Sequence, residues 1–227
     1  MEAAAKKPRL SKQAKKDRLK WCQQFKSWTA KQWSKVIFSD EMNAEVDNRK
    51  GRLMIRRLPS EKYHPDCLQQ RTRQGSGSTG IWACMGGQGF GLWKLFKGRL
   101  NQWNYVEILG DYLLPSIDLL TENDDYIFQQ DNAPCLRPDS IKNWLQDNEI
   151  SVLKWPPYSP DLNPIENLWN DMARRVEKVQ ADTMDDLQEA IVDAWNNTDP
   201  ELLRELVHSM PRRCQAVIDQ KGHMTRY

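Results

Sequence analysis

The order of β-type and helix-type runs limits this chain to few folds. Strand candidates, short and rich in apolar or alternating residues, occupy 35–40, 52–58, 81–85, 125–131 and 151–155. Apolar residues at helical spacing cover 9–30, 103–120 with a break near Pro115, 139–148, the stretch after Pro164, and roughly 183–197 and 200–209. A β-rich first half followed by β-α-β-α and a helical tail predicts an α/β fold, in which helices flank a mixed sheet.

Composition narrows the class of protein. The composition predicts a folded globule, because the chain has 227 residues, of which 39% are hydrophobic and ten are tryptophan. No apolar run approaches the roughly 20 residues of a membrane span, so we expect no membrane association. Five cysteines without paired spacing indicate a reducing compartment. His64 and Cys67 lack the second half of a zinc site.

The glycines of "GSGSTG" (75–80) resemble a dinucleotide-binding fingerprint in spacing only. The segment follows a polar basic stretch and leads into a β-type run, whereas the fingerprint needs a strand before it and a helix after it. We therefore expect a flexible Gly-Ser loop and no small-molecule organic cofactor.

Charge is distributed unevenly although the net charge is only +2. Residues 6–20 carry eight Lys or Arg against one Asp. Such an arm is typical of a nucleic-acid contact or a nuclear import signal, which predicts nuclear localisation; a solvated helix face is the alternative. The candidate DNA-binding residues, from this arm and from "RTRQ", are Lys6, Lys7, Arg9, Lys12, Lys15, Lys16, Arg71 and Arg73.

Three carboxylates occupy positions typical of functional groups. Asp40 and Asp131 end the runs that begin Val36-Ile37-Phe38 and Tyr126-Ile127-Phe128. Glu166 lies in the first turn of a helix reached through the proline-rich "WPPYSPDLNP". If the two strands are neighbours, the two aspartates lie side by side, and a stiff loop could hold Glu166 over them.

Three convergent carboxylates suit Mg²⁺ or Mn²⁺, because these hard cations prefer oxygen ligands. A pair of such ions would activate an attacking oxygen and stabilise a leaving one in phosphodiester displacement. Structural alternatives stay open at each position. Asn163, Pro164 and Glu166 have the spacing of a helical capping box, "DN" at 131–132 is a common turn dipeptide, and "SDE" at 39–41 could begin a helix.

Several blocks resemble the catalytic domain of mariner-superfamily DDE transposases, the Sleeping Beauty-like, Tc-type group. They are "VIFSDE", "YIFQQDNAP" and "WPPYSPDLNPIENLW" in that order, with 34 residues between Asp131 and Glu166. "EKYHPDCL", "GSGSTGIWACM", "NYVEIL" and "SMPRRCQAVI" extend the likeness over essentially the whole chain.

The resemblance implies an RNase H-like fold with a helical C-terminal tail, spanning 31–227 after a basic linker at 1–30. It implies cut-and-paste DNA transposition, with Asp40, Asp131 and Glu166 as catalytic ligands of two Mg²⁺ or Mn²⁺ ions. Transposon ends and target DNA would be the partners, and a homodimer the unit that pairs two ends. An inserted Gly-rich hairpin at 75–91 would be the clamp loop, which includes Gly75, Gly77, Gly80, Gly86 and Gly87.

Two departures from the family pattern qualify this expectation. The helix-turn-helix modules that read transposon ends in the family have no counterpart ahead of the basic arm. Leu136 replaces a usual histidine, and Pro138 stands where a small residue is common. The loss of a polar side chain beside Asp131 predicts weaker metal or DNA positioning. This departure leaves open a second interpretation, a domesticated or decayed protein that binds DNA or a partner without catalysis. A third interpretation is an RNase H-like nuclease that acts on RNA–DNA hybrids.

Overall fold

The computed structural model describes residues 9–45, 78–98, 100–121, 125–131 and 139–227. Four strands are present in these ranges: β1 (Val36–Glu45), β2 (Ser78–Gly86), β3 (Gly89–Lys97) and β4 (Ile127–Gln129). The helices are α1 (Lys12–Gln24), α2 (Ala30–Trp33), α3 (Gln102–Ile108), α4 (Leu114–Leu120), α5 (Asp139–Asp147), α6 (Ile165–Val179), α7 (Met184–Asn196), α8 (Pro200–His208) and α9 (Met210–Asp219).

The strands form one mixed sheet in the order β3-β2-β1-β4. β1 is antiparallel to β2 and β2 to β3, whereas β1 and β4 are parallel. A single parallel bridge between Phe128 and Val152 continues the sheet beyond β4. The predicted strand at 151–155 is thus reduced to this bridge, and the predicted strand at 52–58 lies outside the described residues.

Alternate side chains of β1 pack into different cores on the two faces of the sheet. Val36 and Phe38 belong to a core built with α1, α2 and α6–α9. Ile37 belongs to a second core, built with α3, α4 and α5. This alternation is the period-2 geometry of a strand covered on both faces. The predicted class, a sheet flanked by helices, is confirmed.

Aromatic packing explains much of the tryptophan content. Trp21 lies 4.6 Å from Phe25 and 4.9 Å from Trp155 between ring centroids, and Trp28 lies 4.9 Å from Trp33. Tilted and edge-to-face pairs at these distances stabilise a core beyond the area they bury. The aromatic cluster joins α1 and α2 to the strand region and to the start of the proline-rich loop.

Several predicted helices differ from the observed ones. The helix predicted over 9–30 ends at Gln24, and α2 follows separately. The helix predicted over 103–120 contains a π-helical segment, Leu109–Leu113, so the irregularity precedes Pro115, which lies in the first turn of α4. α9 was not predicted. Among the described helices, none has the length and apolar character that a membrane crossing requires.

The predicted Gly-rich hairpin at 75–91 is present in its described part, but it belongs to the central sheet and is not an insertion; its role as a clamp loop stays a prediction. Residues 78–91 form all of β2, the turn after it and the start of β3, inside the central sheet. A Cβ on Gly80 would lie 2.2 Å from the Phe96 ring, and one on Gly87 would lie 2.4 Å from Ser34 Cβ. Gly80 therefore permits close packing within the sheet, and Gly87 permits close packing of the β2–β3 turn against Ser34. Gly75 and Gly77 lie outside the described residues.

Candidate active site

Strand pairing sets the positions of the two aspartates. Phe38 of β1 is the partner of Gln129 of β4. Parallel register carried two residues further brings Asp40 opposite Asp131, on the same face of the sheet. Ser39 Oγ donates to Gln129 O at 3.0 Å and links β1 to β4 just before Asp40 and Asp131. The expectation that these strands are neighbours is confirmed, and the alternative of a helix start at 39–41 is wrong.

Apolar packing holds the start of α6 against the same face. Ile165, Leu168, Trp169 and Met172 are all buried in the core that contains Phe38, as the predicted helical stripe requires. This burial orients the first turn of α6, which carries Glu166.

One buried asparagine ties this turn directly to β1. Asn163 Nδ2 donates to Ser39 O at 3.3 Å, next to Asp40, while Asn163 Oδ1 accepts from Ile165 N at 3.4 Å. The predicted capping box does not form: the backbone N–H of Asn163 donates to Pro160 O at 3.0 Å, and helix α6 begins at Ile165. The role of Asn163 is therefore to connect Glu166 to the strand that carries Asp40.

The acids influence one another electrostatically. Burial raises the pKa of Asp40 well above its usual range, and the nearby charges of Glu166, Glu41 and Asp131 raise it further. Each of these carboxylates lies close enough to disfavour the ionised form of Asp40. All three acids that the sequence singled out thus belong to one half-buried, negatively charged site.

Two further side chains of the site were missed at the sequence level. Burial, followed by the charge of Asp131, raises the pKa of Glu41 to about 8. The buried Tyr105 hydroxyl donates to Gln130 Oε1 at 2.9 Å, and burial together with Glu41 and Asp131 raises the pKa of Tyr105. The adjacent acids in "SDE" were a usable signal for Glu41. Nothing local marks Tyr105, which comes from α3.

The oxygen donors fit a hard divalent cation, since several carboxylates converge where their mutual repulsion is unfavourable without a positive charge. Within the described ranges, no group of three or more His, Cys, Asp or Glu side chains forms a ready-made metal cluster. Like charges keep carboxylates apart, and a cation offsets that repulsion. We therefore expect the three side chains to approach further when an ion binds.

The predicted DNA-binding residues are distributed unevenly over the described chain. Arg9, Lys12 and Lys16 are exposed, and Lys15 is half-buried. Lys20, which was not among the predicted DNA-binding residues, is also exposed. With Lys12 and Lys16 it forms a row at four-residue spacing along one face of α1. Outside the described residues lie Lys6, Lys7, Arg71 and Arg73, and also Leu136 and Pro138.

Comparison with known proteins gives a consistent result. Residues 35–188 match the family model for the DDE superfamily endonuclease. The transposable element Tcb1 transposase of Caenorhabditis briggsae is 33% identical over 222 residues, 98% of this chain and 81% of that protein.

Solved structures share the fold. A Mos1 transposase paired-end complex with the left transposon end aligns with a TM-score of 0.80 at 20% identity, over 98% of this chain and 66% of that one. The Mos1 mariner paired-end complex with Mn aligns with a TM-score of 0.79 at 19% identity, over 100% of this chain and 68% of that one. The predicted RNase H-like arrangement is thereby confirmed.

Proposed function

The chain belongs to the DDE superfamily of endonucleases, as a relative of the Tcb1 and Tc1 transposases, and from that premise we propose how it acts. It is the catalytic domain of a cut-and-paste transposase, which cleaves DNA at transposon ends and joins the freed 3′-hydroxyl to target DNA. The single observation that supports the proposal is the placement of Asp40 on β1, Asp131 two residues after the parallel strand β4 and Glu166 in the first turn of α6, near enough that Glu166 and Asp131 raise the pKa of Asp40.

Asp40, Asp131 and Glu166 would hold two Mg²⁺ or Mn²⁺ ions in this proposal. Bound there, the ions supply Lewis-acid activation of the attacking oxygen and stabilisation of the leaving one. The Mos1 complex with Mn supports a divalent metal at this fold. The chain's own part is to hold three carboxylates on rigid elements, through the Ser39–Gln129 and Asn163–Ser39 hydrogen bonds.

DNA is the proposed partner, both as transposon ends and as target, with a homodimer pairing two ends. The Mos1 complexes hold transposon ends in paired form, which supports this assembly. The exposed lysines of α1 would contact phosphates and so add affinity with little base specificity. Nuclear localisation, suggested by the same basic arm, belongs to the proposal.

Strand transfer with pre-cleaved ends tests the catalytic claim. The protein is incubated with Mn²⁺, pre-cleaved ends of the corresponding element and a supercoiled target plasmid, and joined products are separated on a gel. We expect joined products from the natural chain and none from Asp131→Ala. Asp219→Ala, on exposed α9 surface remote in sequence from the site, serves as the control and should retain activity. Products that persist in Asp131→Ala would refute the proposal.

A further inference from the structure

A fully buried ion pair outside the acid site joins the basic N-terminal helix to the proline-rich loop. Arg18 of α1 has no exposed surface, and Asp161 is 1% exposed. Arg18 Nη1 and Nη2 donate to Asp161 Oδ1 and Oδ2, each at 2.8 Å. This bidentate arrangement is the strongest geometry available to an arginine–carboxylate pair.

The remaining polar atoms of the pair are also hydrogen-bonded. Arg18 Nε donates to Gly222 O at 3.0 Å, Nη1 to Tyr158 O at 3.2 Å, and Nη2 to His223 O at 3.2 Å. Asp161 Oδ2 accepts from both N and Oγ1 of Thr225 at 2.9 Å. Arg18 therefore fastens two segments at once, the loop before α6 and the chain after α9.

A second buried arginine carries this connection to the residue after Glu166. Arg213 of α9 donates through Nη1 to Asp161 O at 3.0 Å and through Nη2 to Asn167 Oδ1 at 2.7 Å. Asn163, three residues before Glu166, is bonded to Ser39 O. The turn that carries Glu166 is thus held on both sides, by β1 through Asn163 and by the buried arginines through Asp161 and Asn167.

Stability alone does not account for a charged pair at this place. Apolar side chains of similar volume commonly match or exceed a buried ion pair in stability, whereas in some proteins the pair instead fixes the geometry of the parts it connects. The geometry imposed here is unusual: Tyr158, whose carbonyl accepts from Arg18, has a φ of 53°, a left-handed conformation that non-glycine residues seldom adopt. Such conformations persist where surrounding contacts over-determine them.

We propose that Arg18 and Asp161 form a positioning pair for Glu166, which sets the turn Pro160–Leu162 and through it the carboxylate at the start of α6. The inference rests on the proposed function and assigns to the basic helix a role beyond DNA contact. Arg18 touches neither DNA nor metal in this role, and it acts through Asp161. Metal-binding carboxylates that lose their supporting hydrogen-bond partners typically bind the ion about 10- to 100-fold more weakly.

Two variants test the proposal in the full chain. Arg18→Lys keeps the charge and removes the bidentate fork. Thr225→Val removes one hydrogen bond to Asp161 Oδ2 and leaves every charge in place, so it should perturb folding less than Arg18→Lys. Arg175→Lys is the matched control, because Arg175 lies on α6 itself and donates to Asn197 O at 3.0 Å, away from Asp161.

The readouts are Mn²⁺ binding by electron paramagnetic resonance in DNA-free protein, hydrogen exchange over 158–167, and strand transfer. We expect Arg18→Lys to bind Mn²⁺ about 10-fold more weakly, Thr225→Val to shift affinity in the same direction by about 2- to 3-fold, and both to exchange faster over 158–167. Arg175→Lys should match the natural chain in all three readouts.

Separate outcomes decide the two claims. Unchanged Mn²⁺ affinity and exchange over 158–167 in Arg18→Lys and Thr225→Val, with only a lower melting temperature, would overturn the positioning role. A natural chain that binds Mn²⁺ and joins no DNA would overturn the proposed function, and the Mn²⁺ affinities would still decide whether Arg18 positions Glu166.

Discussion

Replacement of Glu41 by glutamine should stabilise the protein increasingly as pH rises. Burial and the charge of Asp131 raise the pKa of Glu41 from 4.5 to about 8. The folded state therefore binds more protons at this position than the unfolded state between those two pH values. Stability is lost as pH rises through this window, and a neutral side chain removes that loss.

The magnitude follows from the shift of about 3.5 pKa units. Each unit corresponds to about 1.36 kcal/mol, so the penalty from ionised Glu41 is about 0.8 kcal/mol at pH 5 and about 4 kcal/mol at pH 8. Glu41→Gln should show this difference as an increase in the free energy of unfolding relative to the natural chain.

Urea denaturation at pH 5 and pH 8, in buffer with a chelator, measures the effect. Glu45→Gln is the control, because Glu45 is exposed at the end of the same strand; it should change stability by less than about 0.5 kcal/mol at both pH values. An equal stability gain for Glu41→Gln at pH 5 and pH 8 would show that burial and Asp131 do not perturb this carboxyl.

Three further variants follow from described contacts. Asn163→Ala breaks the link between α6 and Ser39 and should lower the free energy of unfolding by about 2 kcal/mol in urea melts and slow strand transfer at least 10-fold. Lys12, Lys16 and Lys20 changed together to Gln should reduce the salt dependence of DNA binding by a slope of about 2 to 3, measured by fluorescence anisotropy against salt. Gly222→Ala should cost more than about 2 kcal/mol of stability in urea melts, because φ is +83° and the new Cβ would lie 2.1 Å from a backbone oxygen.

Each of these has a matched comparison. Asn197→Ala removes a side-chain bond to Asp193 O at an exposed helix end and should leave strand transfer unchanged. Gly98→Ala shares a positive φ of 74° but has open space around the new Cβ, so it should cost only about 1 kcal/mol. Equal losses in the glycine pair, or full strand transfer in Asn163→Ala, would contradict the packing described. An unaltered salt slope in the triple lysine variant would remove α1 from the DNA contact.

Local patterns predicted those elements whose hydrophobic spacing is strong. The stripe Ile165, Leu168, Trp169 and Met172 predicted α6 because burial on one face requires that spacing. The polar second half of β1, from Asp40 to Glu45, could not be predicted as strand, since its extended form comes from pairing with β2 rather than from its own residues.

Contacts between distant parts of the chain account for the remaining errors. The sequence could predict that Asp40 and Asp131 lie close together only if their strands are neighbours, and it could not show which strands pair. The Gly-rich segment was predicted as a flexible, inserted loop because glycines that permit close packing in a sheet, such as Gly80 against Phe96, give the same composition as a flexible loop. Arg18 belonged to a run of surface-type charges, and nothing near it indicates a buried partner 143 residues away.

The distant hydrogen-bond partners of Arg18 determine when during synthesis α1 can complete its contacts. Its guanidinium bonds to Asp161, Gly222 and His223, the last of them 205 residues later in the chain. Nearly the whole polypeptide must therefore be synthesised before Arg18 can form these contacts and α1 can pack against the rest of the protein. A copy broken off early, by a premature stop codon or a cut near residue 220, would keep all three acids and still lack the closing contacts that hold them ready for use.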